Sequence, residues 1–214
     1  MDDGIFVFID GESHYHRSEE AWQSLHGPSA SLADLRPRGQ LDGRLVLVER
    51  RTKVFWTKRM SAGAKRYFYL TACTGDDGAV RAAMQQMRDF DLEPTVFKEH
   101  SSLAKQRDAT RRTAYLIETA KRVDIALVVL MLKAARERQF RECHLYTSDV
   151  DFAPAIEAVR AMGAFRVTVF GYDNGLGDKS ELRLVCDQFV DLASSLRDDY
   201  ELITPDRPQV GGAS

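Results

Sequence analysis

Ile5-Phe-Val-Phe-Ile9 is an unbroken apolar run of β-branched and aromatic residues, closed at once by Asp10-Gly11. A strand with one wet face alternates apolar and polar residues. A run apolar at every position has both faces covered, as in a parallel sheet with helices on either side. The run is too short for a signal sequence or a membrane span, and Asp2, Asp3 and Asp10 flank it.

The pattern downstream agrees with a sheet of that kind. Residues 18 to 25 suit a short helix, and Leu45–Val48 and Val54–Trp56 read as a hairpin or two irregular edge pieces. From residue 66 the alternation is regular. Tyr67–Thr71 predicts a strand, and Asp76 or Asp77 caps a helix carrying Val80, Ala83, Met84, Met87 and Phe90, which Pro94 closes before a strand at Thr95–Phe97. Residues 107 to 120 predict a polar helix. Asp124 then opens a second helix to about Gln139, apolar almost all round and therefore central and buried. Strands at Cys143–Thr147 and Phe165–Phe170 enclose a helix at Phe152–Met162, and a short helix at 179–186 precedes Phe189–Leu192. Strands alternating with helices predict an α/β fold with a central, mainly parallel sheet flanked by helices. A chain of 214 residues accommodates one domain over 1–200, with a basic insertion at about 28–65 and a tail at 201–214.

The net charge of -2 hides a segregation. From Arg36 to Arg66 ten basic residues face two acidic ones; from Asp173 to Asp206 nine acidic residues face three basic ones. The first segment suits a polyanion such as RNA, and the second offers a surface for a homo-oligomer or a protein partner. A solvated surface is the plain alternative for both. Cys73, Cys143 and Cys186 are odd in number and lack metal-site spacing, which predicts small buried residues in a reducing, cytoplasmic setting.

Ligands of parallel sheets lie beyond the carboxyl ends of the strands. There the chain carries Asp10 and the run Ser148-Asp149-Val150-Asp151, with Asp124 at the start of the central helix. If the first and fourth strands are neighbours, these carboxylates meet. Clustered carboxylates repel one another and call for a divalent cation, for which hard oxygen ligands select Mg²⁺ or Mn²⁺. Each residue also has a structural reading: Asp10 opens a turn with Gly11, Asp149 or Asp151 caps the helix near Phe152, and Asp124 caps its own helix.

Four segments together resemble a known family. Phe8-Ile-Asp10-Gly-Glu12, Lys121-Arg-Val-Asp124-Ile-Ala-Leu127, Leu145-Tyr-Thr-Ser148-Asp149-Val-Asp151-Phe152-Ala-Pro154 and Phe189-Val-Asp191-Leu resemble, in order, the NYN domain, LabA-like proteins among them. That family is a branch of the PIN-like metal-dependent nucleases. The resemblance covers residues 4–13 and about 66–192, and implies a three-layer Rossmann-like fold, an acidic pocket for Mg²⁺ or Mn²⁺, and RNA as substrate. It implies a metal site of Asp10, Asp124 and Asp149, with Asp151 positioning water, Ser148 supporting the loop and Lys121 near a phosphate. Two positions depart from the pattern. Ser13 stands where the family commonly has Asn, with less reach toward substrate, and Leu130 where many members carry a further Asp, which lowers the ligand count.

Lys105, Arg107, Arg111 and Arg112 are candidates to grip backbone phosphates, against a solvated helix face. His14 and His16 put two imidazoles near the pocket. Trp56, Tyr67 and Tyr69 could stack on bases, although the two tyrosines suit the sheet core. The glycine-rich stretch Gly171–Gly177 lacks the spacing of a nucleotide cradle and reads as a rim loop. The leading expectation is a metal-dependent ribonuclease. The rivals are a non-catalytic RNA-binding or regulatory module whose site has decayed at Ser13 and Leu130, and a protein-interaction domain or toxin docked through the acidic end.

Overall fold

Six parallel strands form the central sheet of the computed structural model, in the order β6-β5-β1-β7-β8-β9. The structure describes residues 4–37, 46–50, 53–57, 60–61, 63–99, 109–173 and 181–202, and at 36–37, 49, 74, 99, 109–120 and 202 the backbone only. The sheet strands are β1 (Ile5–Asp10), β5 (Arg66–Thr74), β6 (Glu93–Glu99), β7 (Glu142–Tyr146), β8 (Arg166–Gly171) and β9 (Gln188–Asp191). The described helices are α1 (Gly11–His26), α2 (Asp77–Asp89), α3 (Ala109–Arg136), α4 (Ala153–Ala161), α5 (Glu181–Val185) and α6 (Leu192–Asp199). Short strands β2 (Leu35–Pro37) and β10 (Tyr200–Leu202) pair with each other, as do β3 (Val46–Glu49) and β4 (Val54–Thr57), which takes the hairpin of the two readings over two irregular edge pieces. Among the described residues no helix is long and apolar enough to cross a membrane.

The apolar run of β1 is central because both of its faces are used. Phe6 and Phe8 point into a core with Phe68 and Leu70 of β5, Val123, Leu127 and Met131 of α3, and Ile156 of α4. Val7 and Ile9 point the other way, toward Tyr15 and Trp22 of α1, Phe55 and Trp56 of β4, Met87 of α2 and Leu196 of α6. Period-two alternation thus supplies two cores from one strand. The result is helix, sheet and helix in three layers, with the β3–β4 hairpin sharing the α1 face.

Four elements differ from expectation. The first helix begins at Gly11, not near residue 18, because Asp10 serves as its N-cap. Pro94 does not end α2 but sits inside β6, where an edge strand tolerates a residue with no N–H to donate. The two helices expected on either side of Asp124 are one, α3, whose 28 residues include neither Gly nor Pro. That helix is not buried all round: Ile125 and Val129 are 64% and 58% exposed, while Val123 and Leu127 face the core. Leu130 is half-buried against that core.

Candidate active site at the switch point

Strand order reverses at β1: the chain continues to β5 and β6 on one side and to β7, β8 and β9 on the other. Loops leaving β1 and β7 therefore part above the sheet and leave a crevice. An open cleft of about 490 Å³ lies there, lined among others by Asp10, Ser13, Asp124, Ser148 and Asp149. The pairing of β1 with β7 is what brings Asp10 and the Ser148–Asp151 run together.

Asp10 is the innermost of these groups, 2% exposed. One carboxylate oxygen, Oδ1, accepts the Ser13 backbone N–H at 3.2 Å, which is the N-cap bond of α1. The other, Oδ2, accepts the Thr147 hydroxyl at 3.0 Å. Thr147 Oγ1 in turn accepts the Asp149 N–H at 3.1 Å. Ser13 Oγ accepts the Ser148 N–H at 3.3 Å, and Ser148 Oγ accepts the Tyr172 N–H at 2.9 Å. Hydrogen bonds thus tie the ends of β1, β7 and β8 into one rigid rim. Gly11 allows α1 to start this close to the sheet: a Cβ there would lie 2.3 Å from Tyr69 Cε1 and 2.7 Å from the Leu70 carbonyl oxygen.

Both central carboxyls resist ionisation. Burial, then the field of Asp124, raises the Asp10 pKa to about 7, against the hydrogen bonds from Ser13 and Thr147 that favour its charged form; Asp149 adds to the rise. Burial, then Asp149, Glu12 and Asp151, raise Asp124 to about 6. Asp149 caps the turn Val150–Phe152, its Oδ1 accepting the Asp151 N–H at 2.9 Å, whereas α4, the helix expected to be capped by Asp149 or Asp151, starts from Phe152 with no side-chain cap. Asp124 lies in mid-helix and caps nothing. Asp151 is exposed and does not line the cleft.

Among the described residues, no three His, Cys, Asp or Glu side chains come together closely enough to hold one ion. Donor type and charge nonetheless fit a hard divalent cation. The lining is oxygen-rich, and the repulsion that lifts Asp10 and Asp124 is the term such an ion would relieve.

Lys121 is exposed, three residues before Asp124 on α3, and does not line the cleft. Lys105 and Arg107 lie outside the described residues; of Arg111 and Arg112 only the backbone, within α3, is described. Arg38, Arg44, Arg51, Lys58 and Arg59 of the basic segment also lie outside. Three candidates for the site are buried elsewhere. His14 is 2% exposed within a ring of Phe55, Tyr146 and Tyr172, and of the two imidazoles only His16 lines the cleft. Trp56 and Tyr69 are buried in the core, which removes them as stacking surfaces, and Tyr67 is half-buried. Of the glycine-rich stretch, Gly171 and Tyr172 are buried, and residues 174–180 lie outside the described residues.

Sequence reasoning missed Glu12, Arg17 and Glu20, which join the expected Ser13 and His16 in a stripe that α1 lays along the cleft. Spacing of four residues was the available signal, hidden by starting the helix too late. It also missed Thr147, whose partner becomes visible only once β1 and β7 are paired.

A family model for the NYN domain matches residues 4–195. The chain belongs to the NYN domain family. This NYN chain therefore sits in the PIN-like nuclease superfamily. A comparison with curated proteins returns no match. Among solved structures, a protein of unknown function from Vibrio parahaemolyticus, VPA0982, is similar with a TM-score of 0.50 and 14% identity, over 90% of this chain and 95% of that one. At that identity the likeness concerns the fold. The six parallel strands and flanking helices agree with the NYN assignment.

Proposed function

We propose that this NYN protein is a metal-dependent ribonuclease whose substrate lies across the cleft at the β1–β7 switch point. The observation that carries the reading is Asp10: a buried carboxyl at a strand end, facing an open cleft, with its charge opposed by Asp124 and Asp149. Asp10, Asp124 and Asp149 would hold one Mg²⁺ or Mn²⁺, aided by solvent. When bound, such an ion lowers the pKa of water and neutralises charge developing on phosphate. Asp10 is held in place by Ser13 and Thr147, and Asp149 by its cap on the following turn. Asp151, at the edge, acts on Asp124 through its field and orients water entering the cleft.

For substrate, Ser13 and Ser148 line the cleft wall, and Lys121, Arg107 and Arg111 supply positive charge along α3 and the chain before it. Lys53, from the basic segment, pairs with Glu12 of the cleft, which supports that segment as an insertion within one domain over 1–200 that reaches the site. RNA is the polyanion the family favours, and a cytoplasmic setting would supply it. The acidic segment after Asp173 is left for a homo-oligomer or a protein partner.

Incubation of the full chain with single-stranded RNA and with DNA of the same sequence, in Mn²⁺ and in chelator, tests the reading. Cleavage of RNA only with the metal is expected; cleavage that survives the chelator, or none, counts against it. One observation favours a second reading, a non-catalytic RNA-binding module: no three ligands close on one point among the described residues. It predicts salt-sensitive RNA binding without metal and without cleavage.

A further inference from the structure

On β7, away from the cleft, a polar row stands where a covered strand is expected to be apolar. Glu142, His144 and Tyr146 alternate with buried Cys143 and Leu145, so the three project from one face of the sheet. His144 lies between Val7 of β1 and Thr168 of β8 in register. Above the row sits Ser61, in the turn that follows β4. Its Oγ is 2.7 Å from His144 Nδ1 and 2.7 Å from Tyr146 Oη, and His144 Nε2 is 3.0 Å from Glu142 Oε1.

Proton positions follow from the partners. Glu142 accepts, so His144 carries its hydrogen on Nε2 and leaves Nδ1 as the acceptor for the Ser61 hydroxyl. Ser61 having given its hydrogen to His144, Tyr146 is the donor to Ser61 Oγ. A hydroxyl bonded to a neutral imidazole that is itself oriented by a carboxylate is the arrangement that activates a serine nucleophile. Burial holds His144 below the usual imidazole range, which keeps it neutral. Ser61 is a non-glycine residue at φ 51°, in the left-handed region, where strain is retained at functional positions more often than elsewhere. It opens on a cavity of about 130 Å³, whose walls include Tyr146, Phe170, Val190 and Leu196.

We propose that Ser61, His144 and Tyr146 form a second hydrolytic site, which takes small neutral carboxylic esters and works through an acyl-serine. Ser61 Oγ attacks the ester carbonyl carbon while its proton passes to His144 Nδ1. The Tyr146 hydroxyl, which donates to Ser61 Oγ in the resting site, turns from that oxygen as it bonds to carbon and donates to the carbonyl oxygen that becomes negative. The tetrahedral centre collapses, the carbon–alkoxy bond breaks, and the alcohol leaves with the proton from His144. Water, deprotonated at the same nitrogen, then releases the carboxylic acid and restores Ser61. Glu142 is a positioning residue that fixes the imidazole tautomer. The cavity holds the volume of roughly four waters, which admits a two- to four-carbon acyl group.

The test is to label the full native chain with a fluorophosphonate in the presence of a chelator, which silences the cleft, and to locate the adduct in the tryptic peptide Met60–Lys65, where Ser61 is the single serine. Expected is an adduct on Ser61 at least tenfold faster than on the urea-denatured chain, absent in Ser61→Ala. His144→Gln should slow it by at least tenfold, and Glu142→Gln should shift its pH profile, which Glu142→Asp restores. A native chain that labels Ser61 no faster than the denatured one overturns the proposal without need of any variant. So does a rate unchanged in a folded His144→Gln, which would leave the row as a brace between the turn and the sheet.

Discussion

Thr147 gives its hydroxyl hydrogen to Asp10 across the junction of β7 and β1, at 3.0 Å. That bond favours the charged carboxylate against burial and against Asp124. Hydrogen bonds to a charged group contribute about 1.5–3 kcal/mol. Thr147→Val keeps the shape and removes the donor. Its expected effect is an upward shift of the acid limb of the cleavage rate and roughly tenfold less activity at pH 6, read from a pH–rate profile. An unshifted limb would remove Asp10 as the group whose ionisation the reaction needs.

Asp10 also sets a stability prediction. Its folded pKa of about 7 lies above the ordinary 3.8, so between those values the folded chain holds a proton that the unfolded chain has lost. Stability of the metal-free protein therefore falls as pH rises through that window and stays low above it. At about 1.4 kcal/mol per unit the loss is on the order of 4 kcal/mol. Asp10→Asn keeps the cap and carries no charge. In chelator it should be more stable than wild type at pH 8 and equal to it near pH 4, by urea denaturation; equal stability at both would show that the buried charge costs nothing.

His14 has the opposite sign. Burial lowers it from 6.5 to about 3, and its Nε2 has no hydrogen-bond partner among the described residues. The unfolded chain takes up a proton below 6.5 that the folded chain refuses, so this residue's contribution is complete above pH 6.5 and is lost as pH falls toward 3. His14→Phe, into the same aromatic ring, should flatten the fall in melting temperature between pH 6.5 and 4. A parallel curve would place the acid sensitivity elsewhere.

Much of the fold was legible because β1 could be read alone: five apolar residues in succession require two covered faces, and Phe6 and Val7 do enter opposite cores. The metal candidates Asp10 and Asp149 line one cleft for the same reason, since strand ends in a parallel sheet share an edge, and α3 brings Asp124 to that edge. What was illegible depended on partners distant in sequence. Asp10-Gly11 fits a turn as well as a helix start, and the choice is made by Asp10 capping the Ser13 N–H, with Gly11 leaving room for the Leu70 carbonyl oxygen. Asp124 fits a helix cap until the helix is seen to run through it. The row Glu142, His144 and Tyr146 has no meaning until Ser61, some eighty residues earlier, is placed over it.

Gly11→Ala follows from that contact. The backbone oxygen at 2.7 Å from the new Cβ cannot move aside without disturbing β5. Overpacking of this kind costs about 1–3 kcal/mol. The expected result is that loss in denaturant unfolding, together with reduced RNA cleavage as Asp10 and Ser13 shift; wild-type stability would mean that α1 can lift from the sheet freely.

The most direct measurement is the initial rate of cleavage of end-labelled single-stranded RNA across a Mn²⁺ titration, for wild type, Asp10→Asn and Asp149→Asn. A saturable, metal-dependent rate is expected in the wild type and a loss of at least a hundredfold in each variant, with both variants folded. Rates equal to wild type in the two variants would contradict the proposed function.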